Sequence, residues 1–194
     1  MSQEPRFGRM IPAMVTPFDE NRELDVDKVQ ALAARLVDGG SDSLIINGTT
    51  GESPTVFYPQ KIELFRAVVE AVGDRVPVIA NVGDNCTADT VDFAREVAEL
   101  GVDGFMCVVP YYNKPPQEGM YRHFRTIADA VELPIILYNI PGRCVVNMEA
   151  ETTLRLAREC ANVVAVKEAS GKLDQVKAIV EGAPEGFAVY SGDD

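Results

Sequence analysis

The sequence has no tryptophan, a single histidine (His123) and four cysteines in 194 residues. With a single histidine, neither a His-based metal centre nor a Ser-His-Asp triad is expected. Cys86, Cys107, Cys144 and Cys160 stand far apart with no CxxC or other ligand spacing. They are expected to be reduced thiols rather than a disulfide framework. Basic charge is scarce as well: 18 Lys and Arg face 30 Asp and Glu, a net −12. That excludes nucleic acid as a main partner, because phosphate binding needs clustered cations. No apolar run approaches the ~18 residues of a membrane span, and MSQEPRFGRM holds no apolar signal region, so a cytoplasmic protein with no membrane partner is expected.

What the sequence does hold is an alternation of short β-type runs and helical periods. Candidate strands are 10–15, 43–47, 77–81, 104–109, 134–138, 163–167 and 187–191. From the second onward their starts are 24 to 34 residues apart by subtraction, the length of a βα unit. These runs are continuously apolar, as parallel strands covered on both faces are. Between them, Val26, Val29, Ala33, Leu36 and Val37 form one amphipathic stripe, Ile62, Phe65, Val69 and Val72 a second, and Val91, Ala94, Val97 and Ala98 a third. Asp25, Thr87 and Asn147 or Glu149 sit where helices start, and Gly39, Gly73 and Gly101 near helix ends.

Repeating βα units build either a doubly wound sheet or a closed barrel. No GxGxxG or GxxxxGK fingerprint is present, which favours an α/β fold of the (β/α)8 TIM-barrel type. Seven strands and six helices are countable, and a full barrel takes ~250 residues. The expectation is one barrel domain over 1–194, missing its C-terminal part after strand seven.

In such a barrel the chemistry lies at the C-terminal ends of the strands. Of six lysines, Lys167 alone closes an apolar strand, in VVAVKEASG. In an apolar pocket the ammonium form is disfavoured, and a neutral amine adds to a ketone to give a Schiff base. An ion pair to Glu168 or Glu52 is the plain alternative. Gly48, Thr49 and Thr50 follow strand two, where close backbone approach and hydroxyl or N–H donors suit a carboxylate, although an ordinary turn uses the same residues. Tyr111 and Tyr112 follow strand four, Tyr138 ends strand five, and Arg143 follows it with a fork that can hold a carboxylate. One lysine, several phenols, two threonines and an arginine suit imine chemistry on a 2-oxo acid, with hydroxyls moving the protons.

GTTGES (48–53), PYYNKP (110–115), YNIPGR (138–143), VKEASG (166–171) and SGDD (191–194) occur in the order found in the dihydrodipicolinate synthase family of pyruvate-dependent class I aldolases, which the chain resembles over nearly its whole length. The resemblance implies a lyase of lysine and diaminopimelate biosynthesis, condensing pyruvate with L-aspartate 4-semialdehyde to 4-hydroxy-tetrahydrodipicolinate, with no metal or organic cofactor. It makes Lys167 the imine-forming residue, Tyr138 the proton shuttle, and Thr49 its relay to Tyr112, which in the family reaches into a neighbouring subunit. A homo-oligomer follows, a dimer at least and a homotetramer at full length. Thr50, with Gly48 beside it, resembles the holder of the pyruvate carboxylate, and Arg143 the holder of the second substrate's carboxylate.

Ser53, Asn85, Asp89 and Tyr111 match a region where some members bind lysine as an inhibitor. Tyr58 and Lys61 replace histidines of sensitive members, and a second cation beside the ligand weakens binding, so no feedback inhibition is expected. One further departure concerns the loop after Arg143, where the family commonly reads Thr-Gly and this chain reads Cys144-Val145. A sister aldolase acting on a sugar-derived 2-oxo acid, or a non-catalytic truncated paralogue, are the competing readings.

Overall fold

The computed structural model describes residues 4–192. Helices and strands alternate: α1 (Val26–Asp38), β1 (Leu44–Ile46), α2 (Tyr58–Val72), β2 (Val78–Asn81), α3 (Thr87–Ala98), β3 (Gly104–Val108), α4 (Gln117–Ala130), β4 (Ile135–Asn139), α5 (Pro141–Cys144), α6 (Ala150–Glu159), β5 (Val163–Glu168), α7 (Leu173–Gly182) and β6 (Ala188–Ser191). Sheet order is chain order, β1 to β6. Pairing is parallel between β1 and β2, β4 and β5, and β5 and β6.

The chain gathers into two compact units, one of residues 7–81 and 96–105, the other of 82–95 with 106 onward. In the first, every residue of β1 and β2 is buried, which explains their unbroken apolar sequence. Asp25 accepts a bond from the Lys28 amide and caps α1, whose buried side is Val29 and Ala33. Without such an acceptor the first-turn N–H groups would go unpaired, at ~1 kcal/mol. In α2, Leu64, Phe65 and Val68 are fully buried and place the helix on its apolar stripe. The second unit is built the same way: β4 is wholly buried, and α4 turns Met120, Phe124 and Ile127 inward. Each such large side chain contributes about 1.5–3 kcal/mol by leaving water.

Two expectations are corrected. The run 10–15 forms no strand; it makes one parallel bridge, Ala13 to Ile45, with bonds from the Met14 amide to Ile45 and from the Ile45 amide to Pro12. Pro12 has no N–H to continue a ladder. Six strands are therefore described instead of seven. The α-helices among the described residues number seven rather than six, because Pro141–Cys144 closes a short turn where a loop was expected.

His123 lies on the inner side of α4, 5% exposed, with its Nδ1 2.8 Å from the Thr87 hydroxyl. Burial pushes its pKa down from 6.5 to about 4. The unfolded chain therefore binds a proton that the native chain refuses between those values. This stability is fully present above pH 6.5 and is lost as the pH falls toward 4. Urea unfolding at pH 7 and pH 5 should show about 2 kcal/mol more loss in the native sequence than in a His123→Gln variant. Equal losses would remove His123 from the acid response.

Among the described residues no helix is long and apolar enough to cross a membrane.

Candidate active site

Strands β4 and β5 run side by side with Tyr138 opposite Lys167 and Asn139 opposite Glu168. Because side chains alternate along a strand, each pair shares one face of the sheet. Tyr138 is 4% exposed and Lys167 half-buried. The Lys167 Nζ stands 4.6 Å from the centroid of the Tyr138 ring, over its electron-rich face. The lysine's stem lies against Gly192: a Cβ there would come within 3.1 Å of Lys167 Cε and 2.8 Å of the Ala169 Cβ. Only a residue without a side chain leaves the lysine this room. Asp193 and Asp194, the rest of the SGDD motif, lie outside the described residues.

The carboxylate of Glu168 is buried. It accepts from Asn139 Nδ2 at 3.0 and 3.2 Å, from the Ser170 amide at 3.0 Å and from Gln175 Nε2 at 2.9 Å. Sequence reading passed over this cluster; its signal was a polar residue closing each strand, Asn139 after Tyr138 and Glu168 after Lys167.

Arg143 is exposed on α5, which ends at Val145 in the left-handed conformation, φ +64, with the valine 67% exposed. A β-branched residue thus stands in a conformation that glycine adopts without strain. The preceding Cys144 is buried, and burial pushes its thiol up to about 11, which favours the protonated form.

Tyr111 and Tyr112 point apart. The Tyr111 hydroxyl donates to Asp84 at 2.9 Å, and burial together with that carboxylate raises its pKa to about 12. Tyr112 takes φ +69 and is 87% exposed. Asn85 donates to the Tyr111 carbonyl at 3.2 Å, so these two candidate effector residues do meet; Asp89 lies exposed in the first turn of α3.

In the other unit, Gly48, Thr49 and Thr50 follow β1 in a turn that closes with the Glu52 amide on the Thr49 carbonyl and the Ser53 amide on the Gly48 carbonyl. Thr49 and Thr50 are exposed. Asn47, φ +60 and buried, anchors the turn: its Nδ2 donates to the Asn81 carbonyl at 3.1 Å, and Asn81 Nδ2 returns a bond to the Asn47 carbonyl at 2.9 Å. Ser53 opens a single 3-10 turn, and the Tyr58 phenol donates to the Glu96 carboxylate. Among the described residues no three His, Cys, Asp or Glu side chains cluster as metal ligands.

A family model, described as the Dihydrodipicolinate synthetase family, matches residues 6–194. A 4-hydroxy-tetrahydrodipicolinate synthase of Moorella thermoacetica is 60% identical across 97% of this chain and 64% of its own length. One from Bacillus subtilis is 51% identical across 97% of this chain and 65% of its own. Among solved structures, DHDPS from Cyanidioschyzon merolae, with lysine bound, superposes with a TM-score of 0.96 at 49% identity, covering 98% of this chain and 65% of that one. The chain thus spans about 64% of the length of the curated relatives, and its fold is that of a partial (β/α) barrel.

Proposed function

Because the chain belongs to the dihydrodipicolinate synthetase family, we propose that it carries the imine-forming centre of a pyruvate-dependent lyase, a 4-hydroxy-tetrahydrodipicolinate synthase. The observation that supports this is the Lys167 amine held 4.6 Å from the Tyr138 ring, on neighbouring strands and in register. A lysine on a rigid strand beside a buried phenol is a nucleophile next to a proton carrier.

The Lys167 nitrogen attacks C2 of pyruvate, and the carbonyl oxygen, protonated through Tyr138, departs as water to leave a protonated imine. That cation draws electrons from the methyl group. Tyr138 takes up a methyl proton, and the resulting enamine attacks the aldehyde carbon of L-aspartate 4-semialdehyde. The amino group of the adduct then closes on the imine carbon and frees Lys167, giving 4-hydroxy-tetrahydrodipicolinate. Thr50 and Gly48 hold the pyruvate carboxylate, Thr49 passes protons between Tyr138 and Tyr112, and Arg143 holds the carboxylate of the aldehyde substrate. Tyr112, 87% exposed, serves a neighbouring copy, so the working form is a homo-oligomer, and a cytoplasmic location goes with this biosynthetic role. In this reading Ser53, Asn85, Asp89 and Tyr111 give no working lysine site, since Lys61 sets a second cation beside the ligand.

The test is borohydride reduction with pyruvate present, followed by peptide mass spectrometry. A reduced pyruvyl adduct on the Lys167 peptide is expected. A folded chain that yields none, or carries it elsewhere, overturns the assignment.

A further inference from the structure

Pairing of β4 with β5 is not regular. Ile135 pairs with Val163, but the next residue, Ile136, pairs with Ala165, so Val164 is an extra residue in β5. Ladder bonds below that point therefore do not dictate the register above it. A one-residue slip would turn every side chain of β5 to the other face and take Lys167 away from Tyr138. Above the break β5 also pairs with β6, from Ala165 with Ala188 to Glu168 with Ser191, so what fixes the upper register against β4 lies beyond the break.

We propose that Glu168 does so, as a positioning residue for Lys167; this rests on the reading of Lys167 as the imine-forming amine. Glu168 is 3% exposed and Asn139 fully buried. They are register partners one step past Tyr138 and Lys167 and are joined by hydrogen bonds between their side chains. Slipping β5 by one residue would break those bonds and strand a buried carboxylate, a far larger loss than that of a ladder bond. The lock is braced from three directions. Asn139 Oδ1 accepts from the Met148 amide at 2.9 Å, Gln175 on α7 reaches Glu168 at 2.9 Å, and Asn147 donates to Gln175 at 2.8 Å. The Ser170 amide on the same carboxylate fixes the backbone just after the lysine. Glu168 touches no reacting atom in this scheme; it holds the strand that carries one.

Glu168→Gln keeps the shape but turns an NH2 toward the Asn139 amide and toward either the Ser170 N–H or the Gln175 amide, donor against donor. With the circular dichroism spectrum unchanged, the rate of borohydride trapping of pyruvate on Lys167 is expected to fall about 10- to 100-fold, as sub-ångström misplacement of a reacting group does. A folded E168Q chain that traps at the original rate overturns the proposal. If E168Q loses the native spectrum, Gln175→Ala carries the test: a several-fold fall supports the lock and an unchanged rate refutes it. A parent chain forming no adduct refutes the imine reading instead. Competitive acetylation with acetic anhydride, Lys167 against the exposed Lys177 on each peptide, then decides the positioning claim. A changed ratio in E168Q supports it, and an equal ratio overturns it.

Discussion

Lys167→Ala should leave a folded chain that no longer forms a borohydride-stable adduct with pyruvate, a loss of about a thousandfold or more in trapping rate, the scale on which removing a nucleophile acts. The fold should tolerate the change because β5 is anchored by the buried Val163, Ala165 and Val166. Removing the stem leaves space beside Gly192 and Tyr138, and Glu168 keeps its amide partners. Lys177→Ala, on an exposed face of α7, serves as the comparison and should trap at the original rate. Intact-mass measurement after reduction reads both. An adduct persisting in the Lys167→Ala chain would move the chemistry to another amine and leave the Tyr138 pairing unexplained.

The largest effect on stability is expected from a residue with no chemistry. Gly83 follows β2 where the chain passes over β3, and a Cβ at that position would lie 2.4 Å from the Val108 nitrogen and 2.9 Å from Cys107 Cα. Both are backbone atoms of a strand whose side chains are buried, so neither can swing aside as a flexible side chain would. Gly83→Ala should cost about 3 kcal/mol, the upper end of the usual overpacking range, because backbone must move. Gly142, where an added Cβ meets nothing within 4 Å, should accept alanine with a change under about 0.5 kcal/mol. Urea denaturation of the two variants side by side would show a large drop in midpoint for the first and almost none for the second. Equal midpoints would mean that the strand yields after all.

Much of this was legible before any coordinates. Continuous apolar runs identified β1 to β6; for β1 to β4 the reason is that buried parallel strands need no polar face, whereas β6 is only partly covered, and the stripes identified α1, α2 and α3. Asp25 announced the start of α1 through its own chemistry. The run 10–15 misled because its composition is that of a strand, whereas strand formation there is decided by missing donors. The α5 turn escaped because four residues carry no period. At the site, Lys167 and Tyr138 were each conspicuous alone. Their pairing came only with the family resemblance, since residues 29 apart in sequence become neighbours only through the register of two strands. The Asn139–Glu168 lock was hidden for the same reason, with a further one: a polar residue at a strand end reads as solvent-facing, and these two are buried.

Val145 carries a consequence for how the sequence can change. Its left-handed backbone costs a β-branched residue about 1–2 kcal/mol that glycine would not lose. Valine and glycine codons differ by one base, so a more relaxed corner beside Arg143 is a single mutational step away. The strain belongs to the present residue and not to the fold, and drift at this position has a downhill direction.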